Sequence, residues 1–372
     1  MVGLGSNDSL RGIFSTIFQE HFSLTTTQLG LIVTASYIGN LVFLLVGGNL
    51  STRFSKKRVL QVLILIWMAA LALFAFTSNY TVLLIGMALA LGSSTLLNTT
   101  MNLITPLLFA TAPGFFVNFL FFTQEIGTSG SQYILGSHAD GFAFWQHTNL
   151  VLLILGAVAF VLLLFCNVPE EAAAPADAPA QKGGYDWRII VPYVLVFGFY
   201  FIAEHGVMNW MVAYGVDGLG LPQASAAKYL SVFFGGMMIG RLCLSPLVDK
   251  LGALKSLAAF GGVSCVLYLI GSLGGAVTMP VWAISGLSFS ILYPTLVMSI
   301  RLYFPAQQVS GAAGTILSIA SLADILFNVG FGKLVDMAGY AVSIRVLPLS
   351  VLAFFIVFML FTKFCKPTQK LK

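Results

Sequence analysis

The chain has 372 residues, of which 58% are hydrophobic and 8% charged, with a mean hydropathy of +0.94 and a formal net charge of +5. Soluble domains carry about 25% charged residues, so this chain lacks the polar surface needed to face water on all sides. A soluble enzyme, a nucleic-acid binder and a disordered chain are excluded, and the composition is that of a membrane protein.

No Asp, Glu, Lys or Arg occurs between Arg58 and Glu125, or between Lys255 and Arg301. A spanning helix needs about 20 mostly apolar residues, so the first gap holds at most three spans and the second two. Breaks fall at Thr77-Ser78-Asn79-Tyr80, at Ala112-Pro113-Gly114 and around Gly274. The pattern predicts spans over 1–18, 29–50, 59–77, 82–106, 114–136 and 148–166. A second set is predicted over 188–214, 228–248, 254–275, 280–303, 310–334 and 345–364. All twelve are expected to be helices, because an open sheet cannot satisfy its backbone in lipid. The Ala-, Pro- and acid-rich stretch 167–187 reads as a flexible linker. It separates an N-terminal six-helix bundle, 1–166, from a C-terminal one, 188–372, which ends in a short tail.

With twelve spans, one side collects Arg53, Lys56, Lys57, Arg58, Lys182, Arg188, Lys250, Lys255, Arg301 and the tail lysines. The other side receives Lys228, Lys333 and Arg345. The positive-inside rule then makes both termini and the linker cytoplasmic, in a multi-pass protein of the plasma (inner) membrane. The basic charge is topological and calls for no nucleic-acid partner. Cys166, Cys243, Cys265 and Cys365 sit in spans or at the cytoplasmic face, so no disulfide framework is expected. No cleavable signal peptide is read at the N-terminus, where Asn7, Asp8 and Arg11 interrupt any apolar core.

The two halves repeat each other. At an offset of 197 residues Gly39 meets Gly236, Arg53 meets Lys250 and Arg58 meets Lys255. At 196, Gly136 meets Gly332 and Asp140 meets Asp336. One six-span unit used twice in parallel is the plan of transporters whose bundles rock about a central site. The seventh span starts near Arg188, so its counterpart would start about nine residues before Met1. The first helix is therefore expected to be short at its cytoplasmic end, by true truncation or by a start upstream.

The loop Gly48-Asn-Leu-Ser-Thr-Arg53-Phe-Ser-Lys-Lys-Arg58 and its copy Ser245-Pro-Leu-Val-Asp249-Lys250-Leu-Gly252-Ala-Leu-Lys255 resemble the signature loop of the major facilitator superfamily. The second copy keeps the Asp, the basic residue and the Gly of that pattern, whereas the first has Thr52 for Asp and Ser55 for Gly. Arg53, Arg58, Arg241, Asp249 and Lys250 are accordingly assigned to a gating or structural loop system, with Arg241 as a partner of the Asp249 loop. Asn7-Asp8-Ser9-Leu10, Phe18-Gln-Glu-His-Phe-Ser-Leu24, Tyr229-Leu230, Gly240-Arg241 and Tyr293-Pro-Thr295 are similar to the fucose:proton symporter branch. The resemblance implies the major facilitator fold, proton-coupled sugar transport and a proton site at the acid matching Asp8. The branch's sugar symporters carry a carboxylate in the fourth span; here Leu91–Asn102 has none.

An ionisable group inside a span costs about 2.5–3.5 kcal/mol on insertion scales, so it tends to face a cavity or a partner. Asp8, Glu125, Glu204 and Asp324 are the candidate proton-coupling carboxylates. Asp8 has Arg11 one turn on, within reach on one helical face; it reads either as a static ion pair or as a proton carrier. Under the repeat Asp8 falls opposite His205, beside Glu204, so the two acids are expected to approach one cavity from opposite bundles. Asn7, Asn98, Asn102, Gln124, Gln132, Asn209 and Asn328 are candidate solute ligands, because amides donate and accept as sugar hydroxyls require. Trp210, Tyr214 and Tyr293 could stack on a sugar's apolar face, while His205 reads as a solute ligand or a packed histidine. Arg11 would favour an anionic solute if it faced the cavity alone.

These features point to a secondary transporter taking up a small polar solute, a monosaccharide, with protons by alternating access. No metal, cofactor or enzymatic site is expected, the coupling ion could be sodium instead, and a monomer in the lipid bilayer is expected. An exporter of drugs or amphiphilic or anionic solutes is the alternative within the class. A membrane-embedded sensor or enzyme is the alternative outside it, disfavoured by the scattered His21, His138, His147 and His205 and by the lack of a soluble signalling domain.

Overall fold

The computed structural model describes residues 1–109, 113–168 and 185–367. Linker residues 169–184 and the side chains of Arg53, Asp249 and Asp324 lie outside what it describes. All regular elements among the described residues are helical. They divide into two compact units, Met1–Ala178 with Asn328–Lys333, and Pro179–Phe327 with Leu334–Lys372.

In the first unit the helices are α1 (Val2–Ile13), α2 (Ser15–Phe22), α3 (Thr26–Arg53), α4 (Lys56–Phe76), α5 (Tyr80–Leu108), α6 (Pro113–Ile134) and α7 (Phe142–Phe165). The second contains α8 (Trp187–Ala213), α9 (Gln223–Leu251), α10 (Ala253–Leu273), α11 (Met279–Ile284), α12 (Gly286–Phe289), α13 (Leu292–Ser299), α14 (Ala306–Ala338), α15 (Tyr340–Ser343) and α16 (Val346–Phe364). Residues 328–333 of α14 are the exception, grouping with the first unit. Among the described residues ten stretches are long and apolar enough to cross a membrane, lying in α3, α4, α5, α7, α8, α9, α10, α11–α13, α14 and α15–α16. Helices α1, α2 and α6 fall in the stretches expected to form the first and fifth spans.

Several boundaries depart from the sequence expectation for local reasons. The second span starts at Thr26 rather than 29, because Thr25 and Gln28 form a reciprocal cap: Thr25 N donates to Gln28 Oε1 at 2.9 Å and Gln28 N to Thr25 Oγ1 at 3.2 Å. The sixth starts at Phe142 rather than 148. Its polar residues are compatible with helix because they bond to their own backbone, Thr148 Oγ1 to Phe144 O and Asn149 Nδ2 to Trp145 O, each at 2.8 Å. The eighth starts at Gln223 behind Pro222 rather than at 228. The first span breaks at Phe14, where ψ is 10° and Ser15 Oγ bonds to Gly12 O at 2.8 Å. The tenth is broken twice, between α11 and α12 and between α12 and α13.

In the first unit α3 packs on α5, α4 on α5 and α7, and α1 on α6. Phe14 and Phe18 wedge against the Trp145 ring, with centroids 5.3 and 4.8 Å away. In the second unit α8 and α10 pack on α16, and α9 on α11 and α12. A Cβ at Gly39 would lie 2.0 Å from Ala88 O, and one at Gly236 3.0 Å from Leu287 N. The two repeat-related glycines thus admit equivalent close contacts, second span on fourth and eighth on tenth.

The two signature loops turn differently. Gly252 follows α9 at φ 82°, a conformation that favours glycine. In the first copy Ser55 has φ −58° and instead caps α4, accepting from Arg58 N at 3.4 Å.

Candidate functional site

The candidate polar groups gather in separate sets within each unit. In the first unit α1 presents Asp8 half-buried. Asn7 Nδ2 donates to its Oδ1 at 3.4 Å, and Ser94 Oγ, from α5, donates to its Oδ2 at 3.3 Å. Arg11, one turn along, is buried and acts electrostatically on Asp8. Its guanidinium lies 5.6 Å from the centroid of the Tyr37 ring on α3, a cation–π arrangement. Arg11 is therefore packed within the unit in this conformation rather than presented as a lone cation.

A second set is a line of amides. Asn102 Nδ2 donates to Asn98 Oδ1 at 2.8 Å along α5, and Asn98 Nδ2 donates to Gln124 Oε1, on α6, at 2.6 Å. The three side chains are half-buried, and chaining couples the orientations of the three amides, since turning one requires turning the others. Such a line can present further donors and acceptors to a hydroxylated solute. Replacing Asn98 with Ala breaks both bonds. The expected result is a rise in the half-saturating solute concentration of about tenfold, the scale of one lost polar contact, with the maximal exchange rate retained. Equilibrium-exchange kinetics in liposomes measure both, and an unchanged half-saturation overturns the assignment.

Glu125 is half-buried beside Gln124, whereas Gln132, two turns on, is fully buried, as is Asn328. In this conformation neither Gln132 nor Asn328 offers a surface to solute.

In the second unit Asn209, Trp210 and Tyr214 are buried as well, at 2%, 0% and 4% exposure. Tyr214 packs against Trp282 with centroids 6.1 Å apart, and Trp282 against Tyr268 at 5.5 Å. Trp210 and Tyr214 are core side chains in this conformation, whereas Tyr293, the third aromatic expected to stack on a sugar, is half-buried. His205 is half-buried and stacks on Phe201 at 5.4 Å with a 9° interplanar angle.

Glu204 is half-buried and is surrounded by phenols. It acts electrostatically on Tyr200, Tyr268 and Tyr293, and Arg241 acts on Tyr200 and Tyr293. Tyr268, on α10, donates its hydroxyl proton to Ala203 O. Ser94, Tyr200 and Tyr268 were not singled out from sequence. The i−4 spacing of Tyr200 from Glu204 was the one available signal. Arg58 and Lys250 are exposed at the loops, and Lys57 Nζ, beside Arg58, donates to Leu164 O at 3.0 Å. Among the described residues no group of His, Cys, Asp and Glu could hold a metal ion.

Known proteins of the same architecture support a transporter. The L-fucose-proton symporter of Escherichia coli (strain K12) is 24% identical over 333 residues, covering 78% of this chain and 75% of that protein. A glucose/galactose transporter of Brucella abortus biovar 1 (strain 9-941) is 27% identical over 344 residues, covering 86% and 81%. Among solved structures, a D-xylose-proton symporter superposes with a TM-score of 0.79 over 99% of this chain and 96% of that one, at 17% identity. The sequence profile of the Major Facilitator Superfamily matches residues 2–326, and this multi-pass membrane transporter belongs to that family.

Proposed function

We propose that the protein takes up a monosaccharide together with protons, with α1–α2 and α6 completing a set of twelve spans. Two six-span bundles, 1–166 and 188–372, joined by a cytoplasmic linker, 167–187, would alternate access in the plasma membrane with both termini inside. The observation that carries this reading is the pairing in one unit of a half-buried carboxylate, Asp8 bonded by Ser94, with the Asn102–Asn98–Gln124 amide line. The first can carry a proton, and the second can read hydroxyls. Relatives named for fucose, glucose and galactose support a sugar as the solute. Asp8, Glu204, Glu125 and Asp324 are the proposed coupling groups. Coupling requires the solute to bind differently in the protonated and deprotonated forms of the two access states.

The test is uptake of radiolabelled D-glucose, D-galactose, L-fucose and D-xylose into proteoliposomes holding the full chain. At least one sugar is expected to accumulate beyond equilibrium under an inward proton gradient. A protonophore should collapse the accumulation, and replacing sodium with potassium should not change it. Accumulation that needs sodium, or no transport of any of the four, overturns the reading.

A further inference from the structure

Two charged residues assigned separately from the sequence, Glu204 to the transported species and Arg241 to the cytoplasmic loop, share one pair of tyrosines in the second unit. Tyr200 lies one turn before Glu204 on α8, on the same face of the helix. Its ring stacks on Tyr293 of α13, with centroids 6.0 Å apart and planes at 29°. From the other side, α9 closes onto the tenth span at Gly240. A Cβ there would lie 2.3 Å from Ser290 Oγ and 2.6 Å from Leu287 O, so a residue without a side chain is required for this approach. Arg241 follows directly, and Tyr293 lies about one turn past Ser290. Both the carboxylate and the guanidinium act on both phenols.

We propose that Arg241 is a positioning residue for Glu204, its counter-charge across the Tyr200–Tyr293 pair. An anionic Glu204 would then not stand as an isolated ion within the bilayer. The proposal rests on the reading of Glu204 as a group that serves the transported species. Glu204 acts on Tyr200 from its own helix, on Tyr268 from α10 and on Tyr293 from α13, and Arg241 of α9 acts on Tyr200 and Tyr293. Helix α16, which also packs on α8, brings apolar Leu347 and Phe354 to it. Arg241 is thus the cation that acts on these two phenols, and removing it takes that positive charge from the pair. Removing both charges restores neutrality. That asymmetry separates positioning from a role confined to the loop at 249–255.

The experiment is a double-mutant cycle on the full-length protein: wild type, Glu204→Gln, Arg241→Gln and the double variant. Equilibrium exchange of the four labelled sugars and the melting midpoint in detergent are both read. Arg241→Gln is expected to slow exchange about tenfold and to lower the midpoint. The double variant should exchange within about threefold of Glu204→Gln alone, a non-additivity of the size that coupled charges show. Arg241→Lys should keep uphill accumulation, which a shape-dependent structural contact would not permit. Additive effects in both measurements, or Arg241→Gln with exchange intact, overturn the proposal. If wild type exchanges none of the sugars, the uptake reading fails by itself. The melting cycle then decides the pair: rescue of the Arg241→Gln midpoint by Glu204→Gln sustains it, and additivity ends it. If Arg241→Gln alone does not fold, recovery of a folded double variant is the sustaining outcome, and failure of both overturns it.

Discussion

Asp8→Asn is expected to abolish accumulation of solute against a gradient while leaving exchange across the membrane in place. Asn has nearly the shape of Asp and keeps an oxygen for the Ser94 hydroxyl, which lies 3.3 Å from Asp8 Oδ2, but it cannot take up or release a proton. The magnitude makes the result easy to read. At one proton per solute, a one-unit inward pH difference supplies about 1.4 kcal/mol, a tenfold concentration ratio. Wild type should approach that ratio, and the variant should stop near equality. Exchange, which moves no net proton, should persist because the amide line at Asn98, Asn102 and Gln124 is untouched. Accumulation intact in Asp8→Asn would return Asp8 to the static ion pair with Arg11. Loss of exchange as well, in a folded protein, would make Asp8 a solute ligand instead of a coupling group.

The two assignments that compete for Asp8 could not be separated from sequence, and the reason is physical. Three-residue spacing on a helix allows Arg11 to reach Asp8, but it does not say which neighbouring helix stands between them and the rest of the unit. The structure supplies that helix: α3 brings Tyr37 under the guanidinium, and α5 brings Ser94 to the carboxylate. Serines in membrane helices most often bond to their own backbone, as Ser93 does to Leu89 O and Ala90 O. Ser94 therefore carried no distinguishing mark in the sequence.

The long apolar helices were legible because charge is absent over whole spans and returns at the loops. The repeat was legible because Gly39 and Gly236 serve the same close contact in each half. Breaks inside spans, at Phe14 and on either side of Gly286–Phe289, leave hydropathy unchanged and so were not visible. The same holds for Trp210 and Tyr214. Their composition suits a sugar site, but Trp210 is fully buried and Tyr214, just past α8, packs on Trp282 and Tyr340, far along the chain. Residue type revealed what the spans contain; the directions of the side chains came only from packing.

Among helix contacts, that of α1 on α6 bears most directly on the proposed coupling, because α1 carries Asp8. The two backbones touch at glycines: a Cβ on Gly127 would lie 2.0 Å from Val2 O, and one on Gly5 2.0 Å from Gln124 O. The approach is fastened by Ser6 Oγ donating to Gly127 O and Thr128 Oγ1 to Gly5 O, both at 3.3 Å. Gly127→Ala should therefore lower the melting midpoint, although alanine favours helix over glycine by about 1 kcal/mol. The obstructing atom is a backbone carbonyl that cannot rotate away, so α1 must move, and overpacking of this kind costs about 1–3 kcal/mol. Moving α1 also carries Asp8 away from Ser94, so uptake should fall even in the fraction that stays folded. Gly130, one turn further along α6, has nothing within 4 Å of a built Cβ. Gly130→Ala should hold or raise the midpoint and leave uptake unchanged. Opposite signs at positions three residues apart are the expected result, read by thermal unfolding of the purified variants and by uptake per folded molecule. Equal effects at both glycines would mean that helix propensity, rather than the close approach of α1, sets the role of Gly127.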